Sequence, residues 1–223
     1  MLLTDTMEIL ENRKKKFEAS RLYAITDFKH WSNAELLRIK EACRGGADVF
    51  QLRLKTLDRN ALVEAGKAIR NVTAEENVLF IVNDYPDIAL AVEADGVHLG
   101  QDDMPIHEAR KILGGSSLLI GKSTHSVDQA VDAEKEGANY IGMGPIFFTP
   151  TKPSYEAVGL SFIKAVKSTV RIPGVAIGGI NAEHIPSVIK AGAERVAVVR
   201  AIFGACDIYQ AAQRLKETIL RAS

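Results

Sequence analysis

Two cations and an amide alternate with apolar residues in a pattern that suits an anion-binding site. The segment reads Gln51-Leu52-Arg53-Leu54-Lys55. Successive side chains of a strand point to opposite faces, so Gln51, Arg53 and Lys55 share one face and the leucines share the other. The apolar face must pack on helices, which directs the polar face toward the end of the sheet. Burying two cations is costly without a partner, so we expect an internal salt bridge or, preferably, an anionic ligand.

Carboxylates follow the next two apolar runs. One run ends in Asn83-Asp84, and the following run leads through His98 to Asp103. Because Mg²⁺ prefers one or two carboxylates together with phosphate oxygens, Asp84 and Asp103 predict a magnesium-diphosphate site. Each acid also precedes a helical segment, and taken alone each is typical of a helix N-cap. His98 alternates with apolar residues and is equally typical of a hydrogen-bonded interior histidine.

The segment 144–152 follows the sixth apolar run and is longer than a connection in a barrel needs to be. It offers the hydroxyls of Thr149 and Thr151 and the ammonium of Lys152. Such groups can donate hydrogen bonds to phosphate oxygens or neutralise an anion. The segment therefore predicts a substrate-binding loop.

The last two apolar runs end in Gly178-Gly179 and in Val199-Arg200. Loops after strands 7 and 8 of an α/β barrel often bind phosphate through glycine amides and a short helix, although Gly-Gly also suits a plain tight turn. Neither a GxGxxG nor a P-loop pattern is present, so nucleotide binding by those motifs is not supported. Two anion sites, one of them with acids for a metal, indicate an enzyme that joins two phosphorylated molecules or cleaves such a product.

Eight apolar runs position these groups, and segments with a helical period separate them. The runs cover 21–27, 48–53, 78–84, 95–100, 118–123, 140–145, 174–179 and 195–200. Near-continuous apolar strands that alternate with helices indicate a parallel sheet buried on both faces. Eight units of about 25 residues favour an α/β fold of the (β/α)8 TIM barrel type over an open doubly wound sheet.

Residues 1–20 form an N-terminal helical extension in this interpretation, and residues 21–223 form a single TIM-barrel catalytic domain. Leu3, Met7 and Leu10 fall near one helical face. We expect this helix to cover the floor of the barrel, with a subunit contact as the alternative, so a homodimer stays open. Acidic residues interrupt its apolar stretch, which argues against a signal peptide.

The chain carries 28 basic and 28 acidic residues, so no overall field favours nucleic acid or an anionic membrane. No apolar run is long enough to span a membrane. Cys43 and Cys206 have no metal-like spacing and are expected as reduced, small apolar residues. We therefore expect a cytoplasmic enzyme that acts on small phosphorylated substrates.

Eight segments occur in an order and spacing that identify a family. They are ITD at 25–27, QLRLK at 51–55, VND at 82–84, GVHLGQDD at 96–103, GKSTH at 121–125, GPIFFTPTK at 144–152, AIGGI at 176–180 and VAVVRAI at 196–202. Together they resemble the thiamine-phosphate synthase family over nearly everything from residue 21 onward. The resemblance implies a transferase that joins 4-amino-5-hydroxymethyl-2-methylpyrimidine diphosphate to hydroxyethylthiazole phosphate and releases diphosphate.

The resemblance also implies roles for individual residues. Mg²⁺ would be held by Asp84 and Asp103. The pyrimidine diphosphate would be held by Gln51, Arg53, Lys55 and Asn83. Ser123 would contact the diphosphate or the reacting pyrimidine, and Lys152 would neutralise the departing diphosphate, so the implied catalytic groups are Arg53, Lys55, Ser123 and Lys152. The thiazole phosphate would be received by Thr149, Thr151, Gly179 and the backbone around Val199 and Arg200.

Three positions depart from the family pattern. Leu54 replaces an acid on the helix-facing side and should be tolerated. Tyr85 replaces an arginine, which affects the pyrimidine side, and Arg200 replaces a small hydroxyl residue, which either strengthens phosphate binding or crowds it. A thiazole tautomerase-like relative, a phosphate-barrel isomerase and a non-catalytic phosphate-binding barrel are the alternatives. The joint presence of the cations and the metal acids favours the synthase.

Overall fold

The structure, a computed structural model, describes residues 3–149 and 156–223. Eight parallel strands pair in sequence order, and the last pairs with the first to close a barrel. They are β1 (Leu22–Ile25), β2 (Val49–Leu52), β3 (Leu79–Asn83), β4 (Gly96–Leu99), β5 (Leu119–Thr124), β6 (Tyr140–Met143), β7 (Gly174–Ile177) and β8 (Val196–Val198). Each predicted apolar run supplies one of these strands, so the predicted (β/α)8 TIM barrel is confirmed.

Helices precede, connect and follow the strands. They are α1 (Leu3–Ala19), α2 (Asn33–Arg44), α3 (Arg59–Glu75), α4 (Pro86–Ala91), α5 (Ile106–Leu113), α6 (Val127–Lys135), α7 (Gly159–Thr169), α8 (Ile185–Lys190), α9 (Arg200–Phe203) and α10 (Ile208–Ala222). Within the described ranges, none of them is long and apolar enough to cross a membrane. Cys43 in α2 and Cys206 after α9 are both free thiols, as expected.

Alternate side chains of each strand enter two separate hydrophobic cores. Phe50, Leu52 and Leu54 belong to the core between the strands and the surrounding helices. Val49 and Leu79 belong to the core inside the barrel. Leu54 is 4% exposed, so it faces the helices as its position in the polar–apolar alternation predicted.

Helix α1 covers the amino-terminal end of the barrel, which we call the floor. The Phe17 side chain belongs to the inner core, and its ring centroid lies 4.2 Å from that of Tyr140. The Arg195 guanidinium donates a hydrogen bond to the Phe17 carbonyl at 3.1 Å. Met7 was predicted on the packed face but is 69% exposed, because the face of α1 that packs runs through Leu10 and Phe17.

Polar side chains at the starts of alternate strands hold the floor together. Asp48, just before β2, accepts a hydrogen bond from an amide at the start of β1 at 2.9 Å. Asp95, just before β4, accepts from an amide of β3 at 2.9 Å. Asn139, just before β6, accepts from an amide of β5 at 2.8 Å. In each of these three cases, a side chain just before one strand is hydrogen-bonded to the backbone of the preceding strand.

Candidate active site at the barrel mouth

A cavity of about 360 Å³ opens at the carboxyl-terminal end of the barrel, which we call the mouth. The carboxyl ends of parallel barrel strands converge there, so residues distant in sequence meet. The predicted site residues that line this mouth cavity are Gln51, Arg53, Asn83, Ser123, Thr149, Gly179, Val199 and Arg200. Thr151 and Lys152 lie outside the described residues.

A smaller side pocket of about 130 Å³ adjoins the mouth cavity. Lys55, Asp84 and Tyr85 line it, and it shares Arg53 and Asn83 with the larger cavity. The Lys55 side chain is 59% exposed, and its Nζ lies 3.7 Å from Asp84 Oδ2. The predicted pyrimidine-side residues are therefore divided between two compartments that meet at Arg53 and Asn83.

Both cations that follow β2 face carboxylates. Arg53 Nη1 donates to Asp27 Oδ1 at 2.7 Å, and the Arg53 side chain is 13% exposed. Lys55 faces Asp84. The internal salt bridges that the sequence left open are therefore present. Asp103 adds a third carboxylate beside Asp84, and the buried Lys122 acts on it electrostatically.

The carboxyl groups of Asp84 and Asp103 lie against each other although they belong to different loops. Asp84 has a left-handed backbone with φ +66°, and its amide donates to the His98 carbonyl at 2.8 Å. Asp103 Oδ2 accepts from the Gly100 amide at 2.6 Å. Burial and the neighbouring carboxyl group of Asp103 raise the pKa of Asp84 to about 6. Two hard oxygen donors held together against their mutual repulsion fit a divalent cation.

Neither acid caps a helix, so the capping interpretation is wrong. The N-cap residue of α4 is Tyr85 and that of α5 is Pro105, and neither helix has a side-chain cap. No group of three or more His, Cys, Asp or Glu side chains forms a complete metal site within residues 3–149 and 156–223. Two protein carboxylates still suit Mg²⁺, which commonly completes its coordination with water and phosphate oxygens.

His98 is the hydrogen-bonded interior histidine that the sequence left open. Its Nε2 lies 3.0 Å from Ser123 Oγ, and its Nδ1 lies 3.2 Å from Tyr140 Oη. Tyr140 Oη lies 3.1 Å from Tyr23 Oη, which accepts from Gln51 Nε2 at 2.8 Å. Burial raises the pKa of both tyrosines above the ordinary value, so both keep their hydroxyl protons. Sequence reasoning missed the tyrosines, although an aromatic residue with a polar tip in an apolar strand was a signal.

The loop after β6 packs tightly against the turn after β7. The Phe147 amide donates to the Gly178 carbonyl at 3.0 Å, and Gly179 has φ +65°. A Cβ at Gly179 would lie 2.5 Å from the Phe148 carbonyl oxygen and 2.8 Å from Phe147 Cβ. Glycine is therefore required at position 179 by packing and by backbone conformation, and this packing brings the turn and Thr149 to the same cavity.

Arg200 begins a helix and does not end a strand. β8 stops at Val198, Val199 is the N-cap residue of α9, and Arg200 is the first helical residue. Alternation along β8 therefore does not determine the direction of the Arg200 side chain. Its side chain is exposed and borders the mouth cavity.

Comparisons with known proteins show which family the chain belongs to. Residues 22–202 match the thiamine monophosphate synthase family. The chain is 44% identical over 205 residues to the thiamine-phosphate synthase of Shouchella clausii, covering 91% of this chain and 98% of that one. Identity to the thiamine-phosphate synthase of Moorella thermoacetica is 48% over 185 residues, or 82% and 88% of the two chains.

Solved structures also include a close match to this fold. The thiamine phosphate pyrophosphorylase from Pyrococcus furiosus superimposes with a TM-score of 0.85 at 39% identity, covering 94% of this chain and 98% of that one. A 3-hexulose-6-phosphate synthase, at TM-score 0.67 and 21% identity over 89% of this chain and 99% of that one, shares the fold alone. The family match begins at the first residue of β1 and extends past β8. The chain therefore belongs to the thiamine monophosphate synthase family.

Proposed function

We propose that this chain is a thiamine-phosphate synthase. It joins 4-amino-5-hydroxymethyl-2-methylpyrimidine diphosphate to hydroxyethylthiazole phosphate and releases diphosphate. The observation that carries the proposal is the pair Asp84–Asp103 beside Arg53 and Lys55 at one side of the mouth. The similarity to relatives named thiamine-phosphate synthase supports it independently.

The two substrates occupy opposite sides of the mouth in this proposal. The pyrimidine diphosphate lies toward β2 and β3, where the groups proposed to hold it are Gln51, Arg53, Lys55 and Asn83. Ser123 on β5 contacts its reacting end. The thiazole phosphate lies toward the loops after β6, β7 and β8, where the proposed contacts are Thr149, Gly179, Val199 and Arg200.

Charge balance on the pyrimidine side supports Mg²⁺. Asp84 and Asp103 lie together, and among the described residues the charges of Lys55 and Arg53 act on Asp84 while that of Lys122 acts on Asp103. A diphosphate brings further negative charge, which is costly in a partly buried place without an added cation. We propose that Asp84 and Asp103 hold Mg²⁺, which when bound with the diphosphate supplies charge stabilisation for the leaving group.

The reaction exchanges one bond to the methylene carbon of the pyrimidine for another. The carbon–oxygen bond breaks, and diphosphate leaves with the electron pair, while the electron-rich aminopyrimidine stabilises the resulting cation. The thiazole ring nitrogen then supplies the electron pair of the new carbon–nitrogen bond. No protein nucleophile is required, so the protein contributes positioning and charge stabilisation.

Arg53 and Lys55 stabilise the departing diphosphate on one side. The family resemblance assigns Lys152 the same role, so Lys152 would be a third cation that stabilises the departing diphosphate. Ser123 orients the reacting group by a hydrogen bond. Because both substrates are small phosphorylated molecules that do not cross membranes unaided, we place the reaction in the cytoplasm.

The alternative functions use fewer of these residues. A thiazole tautomerase-like enzyme needs only the side of the mouth formed by the loops after β6 to β8. A non-catalytic phosphate-binding barrel has no use for a pair of carboxylates that repel each other. Asp84 and Asp103 therefore distinguish the synthase from both.

The test is stoichiometric product formation. The protein with both substrates and Mg²⁺ should form thiamine phosphate, measured by mass spectrometry, and one diphosphate per turnover, measured by a coupled assay. Omitting the thiazole phosphate should abolish thiamine phosphate formation. Binding of the thiazole phosphate without any diphosphate release would contradict the proposal and favour the alternatives.

A further inference from the structure

We infer that Tyr23 and Tyr140 are positioning residues that couple Gln51 to Ser123 through a single chain of hydrogen bonds across the barrel interior. The inference rests on the proposed function, because Gln51 and Ser123 matter for turnover only if they contact the pyrimidine diphosphate. The existence of the chain, however, can be tested without substrate.

The chain joins five strands in the order β2, β1, β6, β4 and β5. Its four bonds measure 2.8 Å from Gln51 to Tyr23, 3.1 Å from Tyr23 to Tyr140, 3.2 Å from Tyr140 to His98 and 3.0 Å from His98 to Ser123. Tyr23 and Tyr140 are 3% and 1% exposed, so their hydroxyls are almost entirely withdrawn from bulk water. All five residues line the mouth cavity, with Gln51 and Ser123 at the two ends of the chain.

We infer the direction of each bond from that of the bond before it, starting at the Gln51 amide and taking His98 as neutral. Gln51 Nε2 only donates, so Tyr23 Oη accepts there. Among the described residues Tyr23 Oη bonds only Gln51 and Tyr140, so its own proton goes to Tyr140 Oη. The Tyr140 proton then goes to His98 Nδ1, and a neutral imidazole carries its proton on Nε2 and donates to Ser123 Oγ. Ser123 is left with its own proton for an acceptor in the mouth.

Rotation of the Gln51 amide by 180° reverses the whole chain. Its carbonyl oxygen then accepts from Tyr23, and each later bond reverses in turn. Ser123 then donates to His98 Nε2 and offers only an acceptor to the mouth. The donor or acceptor state of Ser123 is therefore tied to the orientation of Gln51. In the orientation seen here, Gln51 keeps a carbonyl oxygen for a donor such as an amino group, while Ser123 donates.

A nuclear magnetic resonance experiment on the ligand-free protein tests the chain directly. ¹⁵N shifts of the His98 ring, assigned by loss of the signal in His98→Gln, should show the proton on Nε2. Gln51→Glu, measured where the carboxylate is ionised, places an acceptor-only group against Tyr23 and should move the His98 proton to Nδ1. Adding Tyr140→Phe should abolish this response. An unchanged tautomer in Gln51→Glu, or the same response without the Tyr140 hydroxyl, would overturn the inference.

Kinetics test whether the chain positions the substrate. Tyr140→Phe keeps the ring that packs on Phe17 and removes only the hydroxyl. It should raise the KM for the pyrimidine diphosphate by about tenfold and change the KM for the thiazole phosphate by less than about twofold. The matched control is Tyr209→Phe, in the half-buried outer helix α10, which should change neither constant. Equal effects on both substrates would indicate a merely structural role and overturn the inference.

A double-mutant cycle separates coupling from two independent contacts. The effects of Gln51→Ala and Ser123→Ala should be non-additive in the wild-type background and additive in the Tyr140→Phe background. Tyr23→Phe interrupts the same chain and replaces Tyr140→Phe if that variant does not fold. If the wild-type protein shows no turnover, the proposed function is refuted. The ¹⁵N measurement of the His98 tautomer would still test whether the chain couples Gln51 to Ser123.

Discussion

Buried carboxylates have opposite kinds of partner at the floor and at the mouth of this barrel. At the floor, Asp95 accepts hydrogen bonds from Arg13 at 3.0 Å, from Arg70 at 2.8 Å and from a backbone amide. At the mouth, Asp84 meets a second carboxyl, and its pKa is raised to about 6. A carboxylate surrounded by donors stabilises the fold, whereas two carboxyls held together cost stability unless a cation joins them.

The cations show the same contrast. Arg195 at the floor is 5% exposed, and its guanidinium donates to the carbonyl of Phe17. Lys55 and Arg200 at the mouth are exposed beside cavities that a ligand can enter. The floor is completed by the chain itself, and the mouth is arranged for phosphorylated ligands. The same substitution should therefore have opposite consequences at the two ends.

The largest contrast is expected from Asp→Asn at each end. Asp84→Asn should lower kcat by about 100-fold or more, because it removes a proposed ligand of the cation that stabilises the leaving group. It should leave the free energy of unfolding at pH 7 unchanged or raised, since it relieves repulsion and asparagine tolerates a left-handed backbone. Asp95→Asn should cost about 3–5 kcal/mol of stability, because two arginines lose their partner. Diphosphate release and urea denaturation measure these effects, and loss of stability in Asp84→Asn would refute the contrast.

A pH-dependent effect of Mg²⁺ on stability is the second prediction. The folded-state pKa of Asp84 is raised from 3.8 to about 6, so the folded state binds more protons than the unfolded state between these values. The contribution of this group to stability therefore falls as the pH rises through that window. Mg²⁺ should raise the Tm at pH 7.5, and this effect should fade as the pH falls through about 6. Asp84→Asn should abolish it, and an equal rise at pH 5 would contradict the assignment.

The third contrast concerns glycines with similar backbones. Gly179→Ala at the mouth and Gly192→Ala near the floor both place a side chain on a residue with positive φ, at φ +65° and φ +106°, and the backbone strain alone should cost each variant about 1–3 kcal/mol of stability. A Cβ at Gly179 also meets the Phe148 carbonyl oxygen, whereas a Cβ at Gly192 meets the flexible end of Lys167. Only Gly179→Ala should raise the KM for the thiazole phosphate, and by more than that for the pyrimidine diphosphate. Equal effects on both substrates would mean that the proposed division of the mouth is wrong.

The barrel could be predicted from the sequence because each strand is a short apolar run with polar ends. The segments at and after those ends also supplied eight predicted site residues that line the mouth cavity, since parallel strands converge on one face. The side of α1 that packs could not be found in this way, because Phe17 is anchored by Arg195, which lies far away in sequence. Likewise, the tyrosine–histidine chain depends on which side chains meet inside the closed barrel, and alternation along one strand does not reveal this.

Arg200 shows where the strand pattern failed, and it provides the smallest expected effect. The last apolar run was predicted to extend through Arg200, but this residue opens α9. From there, a guanidinium at the edge of the cavity can form a bidentate, charge-assisted pair with phosphate, worth about 1.5–3 kcal/mol. Arg200→Ser should therefore weaken binding of the thiazole phosphate by about tenfold and change binding of the unphosphorylated thiazole alcohol much less.

Arg171→Ser, which removes an exposed arginine near the floor, is the matched control and should change neither affinity. Calorimetry with both thiazoles measures the difference. The loss in Arg200→Ser should shrink as salt is added, because an exposed ion pair is screened, whereas hydrogen bonds from backbone amides are less sensitive. An unchanged preference for the phosphorylated thiazole would place Arg200 outside the site. The backbone amides of the Gly178-Gly179 turn would then bind the phosphate. In that case only the carboxylates, and not the cations, would distinguish the mouth from the floor.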